Sequence, residues 1–282
     1  MLAGLSAAKI AALLIAAMIV GVSKAGFGSG VGIMAVPLMV LAIGADGMLG
    51  VLLPVLIVGD VFSVIHYVRS RDGRNLLMLL GGCAAGIGCG AMVLGWFRGL
   101  AGGERVLDGL VGGLCVLFVS AQAWLLVRRA RAEANAPKLL EGEVASSGTA
   151  APETSPPYRP ATWHGVLVGL AAGFTSTLAH AAGPVVAMFL LSQRMDKRMF
   201  VGTSAWFFLG CNLMKIPAFL AGDRPLITKE TLSLLPYLAP LVIVGTLLGA
   251  WLNRRIPSRA FSAVVYAMVF LAGAKLVWGA VA

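Results

Sequence analysis

Residues 25–38 read A-G-F-G-S-G-V-G-I-M-A-V-P-L, and residues 172–185 read A-G-F-T-S-T-L-A-H-A-A-G-P-V. At a constant offset of 147, Gly26 aligns with Gly173 and Ser29 aligns with Ser176. Each copy lies inside a long apolar stretch, so two membrane-length segments are interrupted at matching places. Paired interruptions of this kind indicate a duplicated membrane fold with a ligand site where the two breaks meet.

The composition excludes a soluble domain, because 59% of the residues are hydrophobic and only 12% are charged. Uncharged or nearly uncharged runs occupy 47–68, 76–97, 107–127, 199–222, 232–253 and 260–282. Each run is about 20 residues long, which suffices to cross the hydrocarbon core as a helix. The net charge of +10 does not indicate nucleic-acid binding, since the cations are spread over many short loops. We therefore predict an all-α polytopic membrane protein.

The chain divides into a first transmembrane repeat, 1–127, a polar linker, 128–162, and a second transmembrane repeat, 163–282. The linker contains S-S-G-T-A-A-P-E-T-S-P-P, a composition that cannot bury a core, so we expect it to be flexible. Each half has one interrupted segment, at about 7–43 and about 164–192, followed by three clear spans. The second half therefore repeats the order of the first.

The loop cations favour two re-entrant hairpins over two simple crossings. Suppose that each interrupted segment is re-entrant, so that it leaves the membrane on the face where it entered. Fourteen cations then share the linker's face and four lie opposite. The fourteen are Arg69, Arg71, Arg74, Arg128, Arg129, Arg131, Lys138, Arg159, Arg194, Lys197, Arg198, Arg254, Arg255 and Arg259, and the four are Arg98, Arg105, Arg224 and Lys229. This asymmetry is what the positive-inside rule expects. Making only the second segment re-entrant gives the same split, and repeat symmetry favours two hairpins.

With two hairpins, each half crosses the membrane an odd number of times, so the repeats are inverted. The predicted fold is thus two inverted repeats, each a re-entrant helical hairpin followed by three transmembrane helices. The positive-inside rule places the linker in the cytoplasm and both termini on the periplasmic side.

The hairpin tips, 26–32 and 173–180, are the first candidate binding site. A half-helix follows each tip, and its opening turn exposes N–H groups and the positive end of the helix dipole. Two such tips near the bilayer midplane would bind an anion. The candidate residues are Gly26, Phe27, Gly28, Ser29, Gly30, Gly173, Thr175, Ser176, Thr177 and His180. The alternative is that the glycines only permit tight packing and the hydroxyls bond back to the helix.

Charges inside membrane spans are costly and mark functional positions. Lys215, with Asn212 nearly one turn earlier, is a candidate to pair with an anionic substrate, and Lys24 borders the first tip. Asp60 is a candidate to carry a coupling proton. The alternative for the two central charges is a structural Asp60–Lys215 pair. For Lys24 it is an interfacial position, and for His180 it is a packed core histidine.

Enzyme motifs are absent: the chain has no H-E-x-x-H, G-x-S-x-G or P-loop pattern, and the glycines at 26–32 do not match a dinucleotide fingerprint. The four cysteines lie singly in apolar runs and form no C-x-x-C, so we read them as packing residues. We therefore predict no enzyme activity, no metal site and no cofactor.

The sequence resembles the TauE/SafE sulfite exporter family, also called TSUP. The resemblance rests on G-F-G-S-G-V-G-I-M-A-V-P-L at 26–38 with its second copy, on the Asp60 span, and on N-L-M-K at 212–215. It implies a bacterial inner-membrane secondary carrier for small anions, such as sulfite or an organosulfonate like sulfoacetate. Lys24 and the loss of most glycines from the second copy depart from the family pattern.

These expectations lead to a carrier whose partners are a small anion and membrane lipid, with no nucleic acid, and with a homodimer left open. A gated anion channel and a membrane sulfur-relay protein that uses Cys89 or Cys211 are the alternatives.

Overall fold

The computed structural model describes residues 5–26, 35–134, 160–193, 195–221 and 224–252, together with residues 274 and 278. This part of the chain is helical and contains no strand. The helices are α1 (Ala7–Gly26), α2 (Ala35–His66), α3 (Gly73–Gly99), α4 (Gly103–Ala134), α5 (Thr162–Ala179), α6 (Ala182–Leu191), α7 (Lys197–Leu220), α8 (Lys229–Leu232) and α9 (Leu235–Leu252). The predicted all-α class is confirmed.

Four of these helices, α1, α2, α3 and α7, contain stretches long and apolar enough to cross a membrane. Their outward surfaces carry large apolar side chains, for example Leu77 and Met92, each 77% exposed. Such side chains are costly in water and suit a lipid environment. The chain is a multi-pass membrane protein.

The α5–α6 pair forms a re-entrant hairpin, because its two ends meet the same loop. Arg74, at the start of α3, donates to Pro160 O just before α5. The neighbouring Asn75 donates to Gln193, just after α6, at 2.9 Å. The α2–α3 loop also meets the start of α7, where the Asp72 amide donates to Thr203. We call this side, which holds 66–75, 160–163 and 191–203, the linker face.

The first repeat contains the corresponding hairpin on the other side. Arg98, at the end of α3, pairs with Asp46 and donates to Arg224 O, so 44–50, 98–105 and 224–235 share a second face. We call this the short-loop face. Helix α9 begins there, and α1 runs parallel to it. The direction follows from two glycines of α9: a Cβ on Gly245 would lie 2.7 Å from Met18 O, and one on Gly249 would lie 2.3 Å from Val22 O.

Helix α1 therefore starts on the short-loop face, and the chain returns to that face at Gly44. Gly44 has a φ of 74° and breaks α2 into a short arm, 35–43, and a crossing helix, 45–66. Each interrupted segment thus enters and leaves on a single face. The first opens on the short-loop face and the second on the opposite, linker face. The prediction of inverted repeats with two hairpins is confirmed.

The hairpin arms differ in length from the prediction. The sequence suggested two short half-helices, whereas α1 has 20 residues and α5 has 18, against 10 in α6. The long first arms pack on helices of the other repeat, α1 on α9 and α5 on α3. This packing keeps each first arm helical deep into the fold.

Glycines bring these pairs of helices into backbone contact. At α3–α5 a Cβ on Gly86 would lie 2.1 Å from Leu170 O, and one on Gly173 would lie 2.3 Å from Cys83 O. The glycines of this contact recur every four residues on both helices, and their positions are Gly82, Gly86, Gly90, Gly165, Gly169 and Gly173. Small residues at this spacing let membrane helices approach closely. The two repeats are therefore joined by their first arms.

Two predicted boundaries change. The second copy of the motif is helical through Ala179, so the break lies at 180–181 and not across 173–180. Helix α4 runs to Ala134, seven residues beyond the predicted end of the first repeat at 127. The residues outside the described part include 27–34, which hold the predicted first tip (26–32) apart from Gly26. They also include 135–159, within the predicted linker (128–162), and 253–282 apart from residues 274 and 278.

Candidate functional site

Asp60 lies fully buried in the crossing part of α2, where two side chains satisfy its carboxylate. Lys24, in the last turn of α1, forms an ion pair with one oxygen. Asn212 of α7 donates to the other oxygen at 2.6 Å. We call Lys24, Asp60 and Asn212 the Asp60 cluster. The sequence alternative of an Asp60–Lys215 pair is wrong, because α1 presents Lys24 to Asp60 and Lys215 turns towards α5.

Lys215 lies one turn further along α7 and is 0% exposed. Its ammonium nitrogen lies 2.9 Å from the Ser176 hydroxyl oxygen and 2.9 Å from His180 Nδ1. The Ser176 carbonyl oxygen lies at 3.4 Å. Both side-chain partners are on the second hairpin, so α7 joins the two breaks. Lys215, Ser176 and His180 form the Lys215 cluster.

The Lys215 partners carry no negative charge. Among the described residues the ion pairs within 4.0 Å are Lys24–Asp60 and Arg98–Asp46, and neither includes Lys215. An uncompensated ammonium group buried in the membrane is costly unless a counter-charge arrives. This arrangement favours binding of an anion beside Lys215.

His180 forms the break between α5 and α6. Its φ of 49° lies in the left-handed region, and it is the one non-glycine residue with positive φ in the described chain. Its amide closes α5 on Ser176 O at 2.9 Å. The ring Nε2 lies 3.3 Å from Leu49 O, which only accepts, so this nitrogen carries the proton. Nδ1 is then free to accept from Lys215, which fixes the neutral tautomer.

Helix α6 begins directly after His180, and no side chain caps its N-terminus. Ala182 and Gly183, its first two residues, are buried. The first N–H groups of a helix have no intrahelical partner, and they carry the positive end of the dipole. The second hairpin therefore presents N–H donors adjacent in sequence to a residue that contacts Lys215.

The remaining hydroxyls of the second copy bond within their own helix. Thr175 donates to Ala171 O and Thr177 donates to Gly173 O, each at 2.8 Å. These i−4 bonds satisfy hydroxyls that the helix would otherwise bury unpaired. The α5 glycine Gly173 packs against α3. Gly173, Thr175 and Thr177 thus have the alternative arrangement, in which glycines permit packing and hydroxyls bond back to the helix. Ser176 and His180 are the members of this copy that contact Lys215.

Of the first copy, 25–38, the structure describes residues 25–26 at the end of α1 and residues 35–38 at the start of α2. Phe27, Gly28, Ser29 and Gly30 lie outside the described residues. The last described residue of α1, Gly26, follows Lys24 of the Asp60 cluster by two residues. The α5–α6 break adjoins the Lys215 cluster, and α7 connects the two clusters through Asn212 and Lys215.

Sequence reasoning missed two residues at the site. Cys211, read as a packing residue, has its sulfur 3.5 Å from the Ser176 hydroxyl and contacts the Cys83 thiol. Its i, i+4 spacing from Lys215 places both on one face of α7, and this was the available signal. Phe219, another turn along, has its ring 5.9 Å from the Lys215 nitrogen. An aromatic residue in an apolar span gives no comparable signal.

Two inverted hairpin repeats with polar groups between their breaks are the architecture of a secondary membrane transporter. A buried cation with neutral partners makes an anion the fitting ligand. The comparison with protein families agrees, since the model described as "Sulfite exporter TauE/SafE" matches residues 13–276. The chain belongs to the TauE/SafE sulfite exporter family and is a membrane anion transporter. No curated protein and no solved structure matches it.

Proposed function

We propose that this protein is a secondary carrier, working as an exporter, for sulfite or a small organosulfonate such as sulfoacetate. The observation that carries the proposal is Lys215, fully buried among neutral partners between the two inverted repeats. The family match supports the sulfur-containing class of anion.

The anion is held by Lys215, Ser176 and the α6 N-terminus. Sulfite and sulfonates present three oxygen acceptors around one sulfur atom, and the site supplies an ammonium group, a hydroxyl and backbone N–H groups. Hydrogen bonds with a charged partner are roughly twice as strong as neutral ones. The candidate donors of the first copy, Ser29 and the neighbouring glycines, follow Lys24 in the sequence and are proposed to add to this set.

The Asp60 cluster couples transport to a proton. Protonation of Asp60 would end its ion pair with Lys24 and free that ammonium group, which links proton binding to the charge balance of the site. A space of about 10 Å³ adjoins Lys24, Asp60, Ser63 and Ser204 on the linker-face side. It suits about one water molecule. The buried Ser204 hydroxyl has no partner among the described residues and would hold such a water.

Alternating access requires two bodies that move against each other around the site. The backbone contacts of α3 with α5 and of α1 with α9 are too close to slide without a clash. The moving bodies are therefore the pairs α3–α5 and α1–α9, each of which combines helices from both repeats. A movement of one sequence half against the other would break both contacts.

The protein sits in the inner membrane with the linker face in the cytoplasm. Among the described residues the linker face has Arg69, Arg71, Arg74, Arg128 and Arg198, as the positive-inside rule expects. Both termini then lie on the periplasmic side.

Counterflow tests the proposal. Proteoliposomes loaded with unlabelled sulfite should accumulate labelled sulfite transiently, and sulfoacetate should compete. Flux without counterflow would indicate the gated-channel alternative, because a pore does not exchange its substrates stoichiometrically. If neither sulfite nor sulfoacetate exchanges, the proposed substrate class is wrong.

The sulfur-relay alternative has one supporting observation, the Cys211 thiol beside Ser176. Cys89, its other candidate thiol, lies exposed on α3. Cys211→Ala should retain counterflow if the protein is a carrier, and complete loss in this variant together with Cys211→Ser would favour the relay.

A further inference from the structure

The short-loop face contains an open cleft of about 1000 Å³ between α3 and the end of α7. Leu94, Arg98, Ala218, Phe219, Arg224 and Leu226 line it. Arg98 is paired with Asp46, whereas Arg224 is mostly exposed and its main-chain oxygen accepts from Arg98. Among the described residues that line the cleft, the charged side chains are those of Arg98 and Arg224, and Asp46 pairs with Arg98. This lining favours anions over cations at the mouth of the cleft.

Phe219 is a residue that lines the cleft and also lies beside the Lys215 cluster. Phe219 is 1% exposed although it lines the cleft. Its ring lies 5.9 Å from the Lys215 nitrogen and 6.1 Å from the His180 ring, at an interplanar angle of 69°. Phe219 thus borders the cleft, and its ring packs against two members of the candidate anion site.

On the linker-face side, the described residues leave a much smaller space. Towards the linker face, the space beside the Asp60 cluster measures about 10 Å³, and Phe208 lines it with its ring 5.6 Å from the Lys24 nitrogen. This space is too small for an anion with four or more heavy atoms. Among the described residues, the wider of the two spaces thus lies on the short-loop side.

We infer that the short-loop cleft is the vestibule through which the anion reaches or leaves Lys215, with the ring of Phe219 closing the passage. This inference rests on the proposed anion site, and it adds the route that the anion takes between this site and one side of the membrane. It assigns Phe219 a role in access, distinct from the binding role of Lys215.

Thiol labelling tests the passage without relying on transport. Cys211 is buried behind Lys215, next to Ser176, so a reagent from the cleft must pass Phe219 to reach it. The background is Cys83→Ala, Cys89→Ser and Cys115→Ala, which leaves Cys211 as the native thiol. The reagent is the impermeant sulfonatoethyl methanethiosulfonate, added from the short-loop face of oriented proteoliposomes.

In this background Phe219→Ala should be labelled at least about tenfold faster than the Phe219 parent, which corresponds to a barrier lower by about 1.4 kcal/mol. Phe208→Ala is the matched control and should label from this face at the parent rate. Ala218→Cys, placed in the cleft, should label from this face whether or not Phe219 is present. An unchanged rate in Phe219→Ala would overturn the inference, and so would equal acceleration by Phe208→Ala, because that would mean general loosening.

Sulfoacetate, which does not consume the reagent, separates the two proposals. It should slow Cys211 labelling in Phe219→Ala if the anion binds beside Lys215. Fast labelling without this protection would leave the passage intact and remove the proposed substrate from the site. Slow labelling in Phe219→Ala, combined with normal sulfite counterflow, would leave the carrier intact and remove Phe219 from its route.

Discussion

Lys24 and Asp60 form an ion pair that joins the end of the first hairpin arm to the crossing part of α2. Asn212, in the second repeat, donates a hydrogen bond to the other oxygen of the Asp60 carboxylate, so the cluster links both halves of the fold. Both side chains are at least nine-tenths buried. Removing one partner would leave a charge without compensation in a medium that cannot solvate it.

The effects of replacing Lys24 and Asp60 on the free energy of unfolding should not be additive. Lys24→Met and Asp60→Leu should each lower the stability by about 3–5 kcal/mol, and the double variant should lose less than either single variant. Thermal or denaturant unfolding in mild detergent completes the double-mutant cycle. Losses that simply add in the double variant would show that the two charges do not interact.

Asp60→Asn addresses coupling separately from stability. The amide retains a side-chain oxygen for Asn212 and removes the ionisable group, so the pH dependence of sulfite flux should become flat. Ser204→Ala, which removes the hydroxyl beside the same space, should keep a pH dependence but lower the rate. A pH profile in Asp60→Asn that matches the parent would make Asp60 a structural residue.

The glycine contact between α3 and α5 predicts a sharp difference between neighbouring positions. A Cβ on Gly86 would meet Leu170 O at 2.1 Å, whereas a Cβ on Gly88 would meet nothing within 4 Å. Gly86→Ala should therefore cost about 1–3 kcal/mol of stability through overpacking. Gly88→Ala should leave stability within about 1 kcal/mol, since alanine is the better helix former. Equal effects in the unfolding assay would mean that α3 and α5 are not in backbone contact.

The left-handed conformation of His180 can be separated from its contact with Lys215. His180→Gly and His180→Ala both remove the imidazole, but only alanine retains the strain of a positive φ. His180→Gly should accordingly be more stable than His180→Ala by about 1–2 kcal/mol. Thermal unfolding of the two variants measures this difference, and an identical midpoint would place the break at another residue.

Much of this fold could be predicted from the repeat. The copies at 25–38 and 172–185 located two interruptions, the cation asymmetry argued against two simple crossings, and repeat symmetry favoured two hairpins. The structure confirms both through contacts such as Asn75–Gln193 and Arg98–Asp46. These features depend on hydrophobicity, length and charge along the chain, which the sequence contains directly.

The partners of the buried charges could not be predicted. The long apolar runs predicted that Asp60 and Lys215 lie in membrane-spanning helices, but the rotation of each helix about its axis is set by packing between repeats. The glycine contacts fix that rotation, so that Lys24 meets Asp60 while Lys215 meets Ser176. For the same reason the sequence did not separate Ser176, which faces Lys215, from Thr175 and Thr177, which bond within α5.

The membrane topology predicts opposite labelling for cysteines at Ser6, just before α1, and at Ser147, in the linker. In a Cys89→Ser background, an impermeant maleimide should reach Ser6→Cys from the periplasm and Ser147→Cys from the cytoplasm. Labelling of both from one side of the membrane would contradict the hairpin assigned to the first repeat.

The measurement that tests the central claim most directly is sulfite counterflow by Lys215→Met in proteoliposomes, with Lys229→Met as the control. Lys229 is an exposed lysine in α8, so its replacement should leave exchange at the parent level. Lys215→Met should weaken sulfite binding by about 10- to 100-fold, the loss of a charged hydrogen bond of about 1.5–3 kcal/mol, while the protein stays folded. Saturable exchange at the parent affinity in folded Lys215→Met would contradict the account, because the anion would then be held elsewhere.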